Sequence, residues 1–141
     1  MKATWTHRLI GGWDGISKAM DECRHVAQTH DVPPNVQRDV VVSLEEIVTN
    51  VLRHGADGAR VPAVELCLEI SQDVLSLAVL DDGPAFDPLS VDEPARDQPL
   101  DTRPVGGLGI LLIKRLMDDV AYTREGERNR LEIRKRFEPG G

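Results

Sequence analysis

The stretch "VPAVELCLEISQDVLSLAVLDDGPAFDP", residues 61–88, decides the fold. Val64, Leu66, Leu68 and Ile70 alternate with Glu65, Cys67 and Glu69, and after "SQD" the alternation resumes with Leu75, Leu77 and Val79. Period-two apolar residues on two arms around a turn predict an antiparallel hairpin with one buried and one wetter face. The second arm then breaks off into two aspartates, a glycine and two prolines. Asp81 at this exit is either part of a surface turn, since Asp and Gly are turn residues, or a carboxylate presented to a ligand at the sheet edge. Gly83 lets a ligand approach the backbone closely.

On the upstream side, "DVPPNVQRDVVVSLEEIVTNVLRHG", residues 31–55, opens with two prolines suited to a helix start and closes on Gly55, a natural stop. Val36, Val40, Leu44, Ile47, Val48 and Val51 form one stripe at helical spacing. Earlier still, residues 13–30 carry Ile16, Ala19, Met20, Cys23, Val26 and Ala27 at the same spacing, and "ATWTHRLI", residues 3–10, reads as a short edge strand. Downstream, residues 83–105 hold five prolines and little periodicity, the mark of a long loop. "GGLGILLIKRLMDDV", residues 106–120, returns to helix, and "VAYTRE" and "NRLEIRKRF" form a last pair of strands around "GER". The sum is an α+β two-layer sandwich: a mostly antiparallel mixed sheet with three helices on one face. At 141 residues the chain is expected to form a single domain over 1–141.

Composition narrows the function classes. A net charge of −7 disfavours direct nucleic-acid binding, because phosphate contacts need a basic surface. The basic run "RNRLEIRKRF" reads as a solvated strand face. Cys23 and Cys67 match no metal or redox spacing and read as reduced thiols. No apolar run approaches the roughly 20 residues of a membrane helix, and "MKATWTHRLIGG" lacks the apolar core of a signal peptide. A cytoplasmic protein without a membrane partner is expected.

Two further stretches carry possible chemistry. Glu46 and Asn50, four apart, stack on one helix face, and His54 continues the line. This is either a solvated face or a carboxylate beside an amide oxygen able to ligate magnesium, which takes few protein oxygens and otherwise holds water and phosphate. Gly106, Gly107 and Gly109 precede and open a helix, where free backbone N–H groups make an anion site; a hinge closing the preceding loop is the plainer reading. The run lacks the Gly-Lys-Ser/Thr ending of a Walker A loop. The hairpin before it also rules out a good dinucleotide fingerprint, which needs a parallel βαβ unit.

In order, Glu-x-x-x-Asn on a helix, Asp-x-Gly after a strand and Gly-Gly-x-Gly opening a helix resemble the Bergerat nucleotide-binding fold. Gyrase, a heat-shock chaperone, mismatch-repair ATPases and histidine kinases share it. "SLEEIVTNVLRHG" (43–55), "VLDDGPAFDP" (79–88) and "GGLGILLIKRLMDDVAYTREGERNRLEIRKR" (106–136) look like the blocks of the small bacterial anti-sigma-factor serine/threonine kinases. The resemblance implies ATP and Mg2+ as cofactors. It makes Asp81 the acceptor for the adenine amino group, a role that suits a carboxylate, Asn50 the magnesium ligand and Glu46 the general base. Gly106, Gly107, Leu108 and Gly109 would wrap the phosphates, with His54 and Gly83 also at the nucleotide and residues from about 84 to 105 its mobile lid. Ala85 stands where many superfamily members have a second glycine, and Asn129 where a Thr often contacts the adenine pocket. No histidine-bearing dimerisation helix precedes these blocks, which argues against a complete histidine kinase. The implied partners are a sigma factor and an antagonist protein, with a homodimer possible. The competing reading is an ATP-binding anti-sigma or adaptor module with little or no kinase activity, and Glu46 favours the enzyme because a binder needs no base.

Overall fold

A computed structural model describes residues 3–55, 61–90 and 107–138 of the chain. Five strands form one sheet: β1 (Ala3–Arg8), β2 (Val64–Ile70), β3 (Val74–Asp81), β4 (Asp119–Glu125) and β5 (Arg128–Arg136), in the order β1-β2-β3-β5-β4. Every pairing among the described residues is antiparallel. The expected β2–β3 hairpin is present with Leu68 opposite Leu77 and Val64 opposite Asp81. β1 is an edge strand, as its short run predicts, and β4 is the other edge.

Three α-helices cover one face: α1 (Ile16–Thr29), α2 (Pro34–Gly55) and α3 (Gly107–Leu116). α2 packs against both α1 and α3. Its stripe of Val36, Val40, Leu44, Ile47 and Val48 meets Leu66, Leu68, Leu75, Leu77 and Ile133 of the sheet in one core. Each such side chain taken out of water contributes roughly 1.5–3 kcal/mol, and aliphatic residues dominate, as the scarcity of aromatics requires. On the opposite sheet face the basic run of β5 is solvated and ion-paired: Arg130 and Arg134 reach Glu132 at 2.6 and 2.9 Å.

Helix α3 is shorter than its sequence implies. The apolar run suggests a helix continuing to Val120, but α3 ends at Leu116 and β4 begins at Asp119. The cause is tertiary. The Asp118 N–H donates to the Arg134 carbonyl at 2.9 Å, and its carboxylate accepts from the Arg136 N–H at 2.7 Å. Those bonds commit residue 118 to the neighbouring strand, overriding helix propensity.

The turn from β4 to β5 places Gly126 at φ +60° with no atom within 4 Å of an added Cβ. The only penalty for a side chain there is the left-handed backbone, so Gly126→Ala should cost about 1–2 kcal/mol of stability. An unchanged denaturation midpoint would show that the turn is not held in that conformation.

Candidate functional site

α2, β3, β5 and β4 enclose a cavity of about 170 Å³. Its walls are Ile47 and Val51 of α2, Val79 of β3 and Leu131 of β5, with Tyr122 of β4 to one side and Pro84, Ala85, Phe86 and Pro88 along the rim. Asn50, Asp81 and Asn129 are the amide and carboxylate groups that line it. Sites for drug-sized ligands run to about 300–1,000 Å³. This volume suits one flat ring system.

Asp81 is the last residue of β3 and is 5% exposed. Its Oδ1 accepts from the Gly83 N–H at 2.9 Å and from Asn129 Nδ2 at 3.0 Å. Among the described residues Oδ2 accepts no hydrogen bond, and Asp81 lines the cavity. Burial pushes its carboxyl above the usual 3.8, and the charge of Asp82 adds to the rise; the Asn129 and Gly83 bonds and the charge of Arg124 act in the opposite direction. Asp82 itself turns away, its Oδ1 accepting from the Ala63 N–H at 2.8 Å. The acid-and-glycine exit from the strand is thus two different things. Asp82 closes a turn onto the neighbouring strand, and Asp81 is a buried carboxylate facing an apolar cavity.

The two other stretches converge beside it. Asn50 lines the cavity, and Glu46, one turn earlier on α2, is half-buried, while Glu45 points to solvent. Gly109 in the first turn of α3 packs directly on this pair. A Cβ there would lie 2.7 Å from Glu46 Oε2 and 3.7 Å from Asn50 Nδ2. Glycine at 109 is what allows the α3 N-terminus, whose first N–H groups have no partner within the helix, to sit against Glu46 and Asn50. Gly107 begins α3, and Gly83 is buried with its carbonyl accepting from Arg124 Nη1 at 2.9 Å. Gly106 and most of the expected lid (91–105) lie outside the described residues, as do the side chains of His54 and Leu108.

Gly109→Ala should leave stability nearly unchanged, because the clashing atom ends a flexible side chain and alanine is the better helix former. It should nonetheless displace the Glu46 carboxylate, lowering any reaction that depends on that group by roughly tenfold. A thermal melt paired with an activity assay separates the two effects, and full activity would show that Glu46 has no fixed position to lose.

Tyr122 and Arg124 escape sequence reasoning, and so does the role of Asn129, which the resemblance puts only where a Thr often contacts the adenine pocket. Asn129, 7% exposed, bonds Asp81, Pro84, Phe86, Tyr122 and Arg124; Tyr122 also lines the cavity, and Arg124 reaches the site through Asn129 and Gly83. One signal was available: Asn129 shares strand parity with Leu131 and Ile133, so an amide occupies an inward position.

The sequence profile described as "Histidine kinase-like ATPase domain" matches residues 14–135. Among curated proteins, the serine-protein kinase RsbW of Staphylococcus epidermidis is 32% identical over 92 residues, covering 62% of this chain and 58% of that protein. RsbW of Staphylococcus aureus (strain JH9) is 29% identical over 92 residues with the same coverage. The match thus spans under two-thirds of these relatives' length. The resemblance carried by the three blocks holds, and so does the α+β architecture it implies.

Proposed function

We propose that this chain, which belongs to the histidine kinase-like ATPase domain family, is an ATP-dependent protein serine/threonine kinase of a partner-switching pathway. It would bind a sigma factor and phosphorylate a small antagonist protein. Phosphorylation adds charge to the antagonist and can break its complex by repulsion and desolvation.

The observation that carries this reading is the meeting of Glu46, Asn50 and the Gly109 backbone beside the cavity. Adenine fits the cavity, with its amino group on Asp81 Oδ2 and its faces against Ile47, Val51, Val79 and Leu131. The phosphates would lie where α2 meets the N-terminus of α3. Magnesium also fits. Asn50 offers one amide oxygen, and phosphate and water would complete the shell, as is usual for this ion. Bound there, the ion would offset phosphate charge. Glu46 would orient the serine hydroxyl and take its proton. No helix among the described residues is long and apolar enough to cross a membrane, and cytoplasmic action is part of the same proposal.

The test is incubation with labelled ATP, magnesium and a candidate antagonist. Label on an antagonist serine or threonine is expected. ATP binding without transfer to any antagonist that binds the chain would overturn the kinase reading in favour of an ATP-binding adaptor. The name of the RsbW relatives supports the enzyme.

A further inference from the structure

Asn129 lies directly opposite Asp81 in the β3–β5 register, and both side chains are buried. Its Nδ2 donates to Asp81 Oδ1 at 3.0 Å and to the Pro84 carbonyl at 2.8 Å. Its Oδ1 accepts from the Tyr122 hydroxyl at 2.5 Å, Arg124 Nη1 at 3.1 Å and the Phe86 N–H at 3.2 Å. These partners fix which way the amide points. Turned over, its N–H₂ would face the Phe86 N–H and the Arg124 guanidinium, which only donate, and its oxygen would face the Pro84 carbonyl, which only accepts.

The consequence falls on Asp81. Its Oδ1 meets two donors, Asn129 Nδ2 and the Gly83 N–H, so that oxygen has no room for a proton. Oδ2 is the atom left for the cavity. Ionised, it is a pure acceptor and complements a 6-amino purine. Protonated, it becomes a donor and complements a 6-oxo purine. We infer that Asn129 is a positioning residue that makes the site choose a 6-amino over a 6-oxo purine, by pinning Asp81 Oδ1 and leaving Oδ2 as a bare acceptor. The inference rests on the nucleotide reading of the site and adds the residue that sets the choice of base.

The electrostatics agree. Burial and Asp82 favour the protonated acid, while the Asn129 and Gly83 bonds and Arg124 favour the carboxylate. The Tyr122 hydroxyl acts on Asn129 instead. Without the Asn129 bond, burial is less opposed and Asp81 holds its proton to higher pH.

ATP and inosine triphosphate (ITP), titrated by calorimetry from acid to alkaline pH, test this on wild type, Asn129→Leu, Asn129→Thr and Asn129→Asp, each checked for folding by circular dichroism. Wild type should prefer ATP and lose ATP affinity as pH falls through the raised pKa of Asp81. Asn129→Leu should lose about tenfold or more of the ATP preference, the worth of a hydrogen bond to a charged group, and its affinity should begin to fall at higher pH. Asn129→Thr, which retains a donor, should restore part of the preference. A folded Asn129→Leu protein that binds both nucleotides more weakly in equal proportion, with an unmoved pH midpoint, overturns the inference. If that variant does not fold, Asn129→Asp at the alkaline end of the titration decides, because with both carboxyls ionised it keeps the shape and removes the donor; an unchanged preference there also overturns it. Failure of wild type to bind either nucleotide is a distinct outcome that overturns the nucleotide reading along with this inference.

Discussion

Glu46→Gln should keep ATP binding and slow phosphoryl transfer to the antagonist by about 10²–10⁴-fold, the usual worth of a positioned general base. Glutamine preserves size and hydrogen-bonding reach but cannot take the serine proton. The structure sharpens the control. Glu45 lies about 100° further round the helix and is exposed, whereas Glu46 is half-buried and abuts Gly109. Glu45→Gln should therefore matter little. Single-turnover transfer and ATP calorimetry on both variants test the assignment. Loss of transfer in Glu45→Gln with retention in Glu46→Gln would place the base on the wrong residue.

Asp81→Asn should weaken ATP binding by about 10–150-fold, the range for a lost hydrogen bond to a charged group. Asn129 and Gly83 hold the oxygen of the new amide, so its N–H₂ turns to the cavity and meets the adenine amine donor to donor. The fold should survive. The native carboxyl has a raised pKa, so the folded state binds its proton more tightly than the unfolded chain. Asp81 thus favours folding at acid pH, and that contribution is lost as pH rises from the unfolded value near 3.8 through the folded one. Asparagine has no proton to lose, so the variant should be at least as stable as wild type at neutral pH. Unchanged ATP affinity would sink the adenine assignment, and a collapse in neutral-pH stability would show that the carboxylate is structural.

How much of this was legible in the sequence follows from how local each feature is. The β2–β3 hairpin and α2 show because alternation and helical stripes are properties of contiguous residues, and Leu66, Leu68, Leu75 and Leu77 bury as their parity predicts. Glu46 and Asn50 show because four-residue spacing fixes a shared helix face. The true end of α3 is hidden, because Asp118 is claimed by Arg134 and Arg136 from a strand further along the chain. The Asn129 hub is hidden for the same reason: its meaning depends on the β3–β5 register and on which carbonyl and N–H groups of residues 83–86 fall within reach. The need for glycine at 109 is likewise invisible until α2 and α3 are packed together.

The β3–β5 pairing also bears on how the protein comes into being. Asp81 and Asn129 are 48 residues apart, and closing so long a loop is an entropic cost met before the contacts reward it. A nascent chain that has delivered its first helices and the β2–β3 hairpin still has an unfinished cavity, because Tyr122, Asn129 and Leu131 have yet to be made. On the nucleotide reading, ATP is a ligand of the finished fold alone. It then stabilises that fold by mass action, by about 4 kcal/mol when free nucleotide stands a thousandfold above Kd. The lifetime of the protein would thereby rise with the free adenine nucleotide around it.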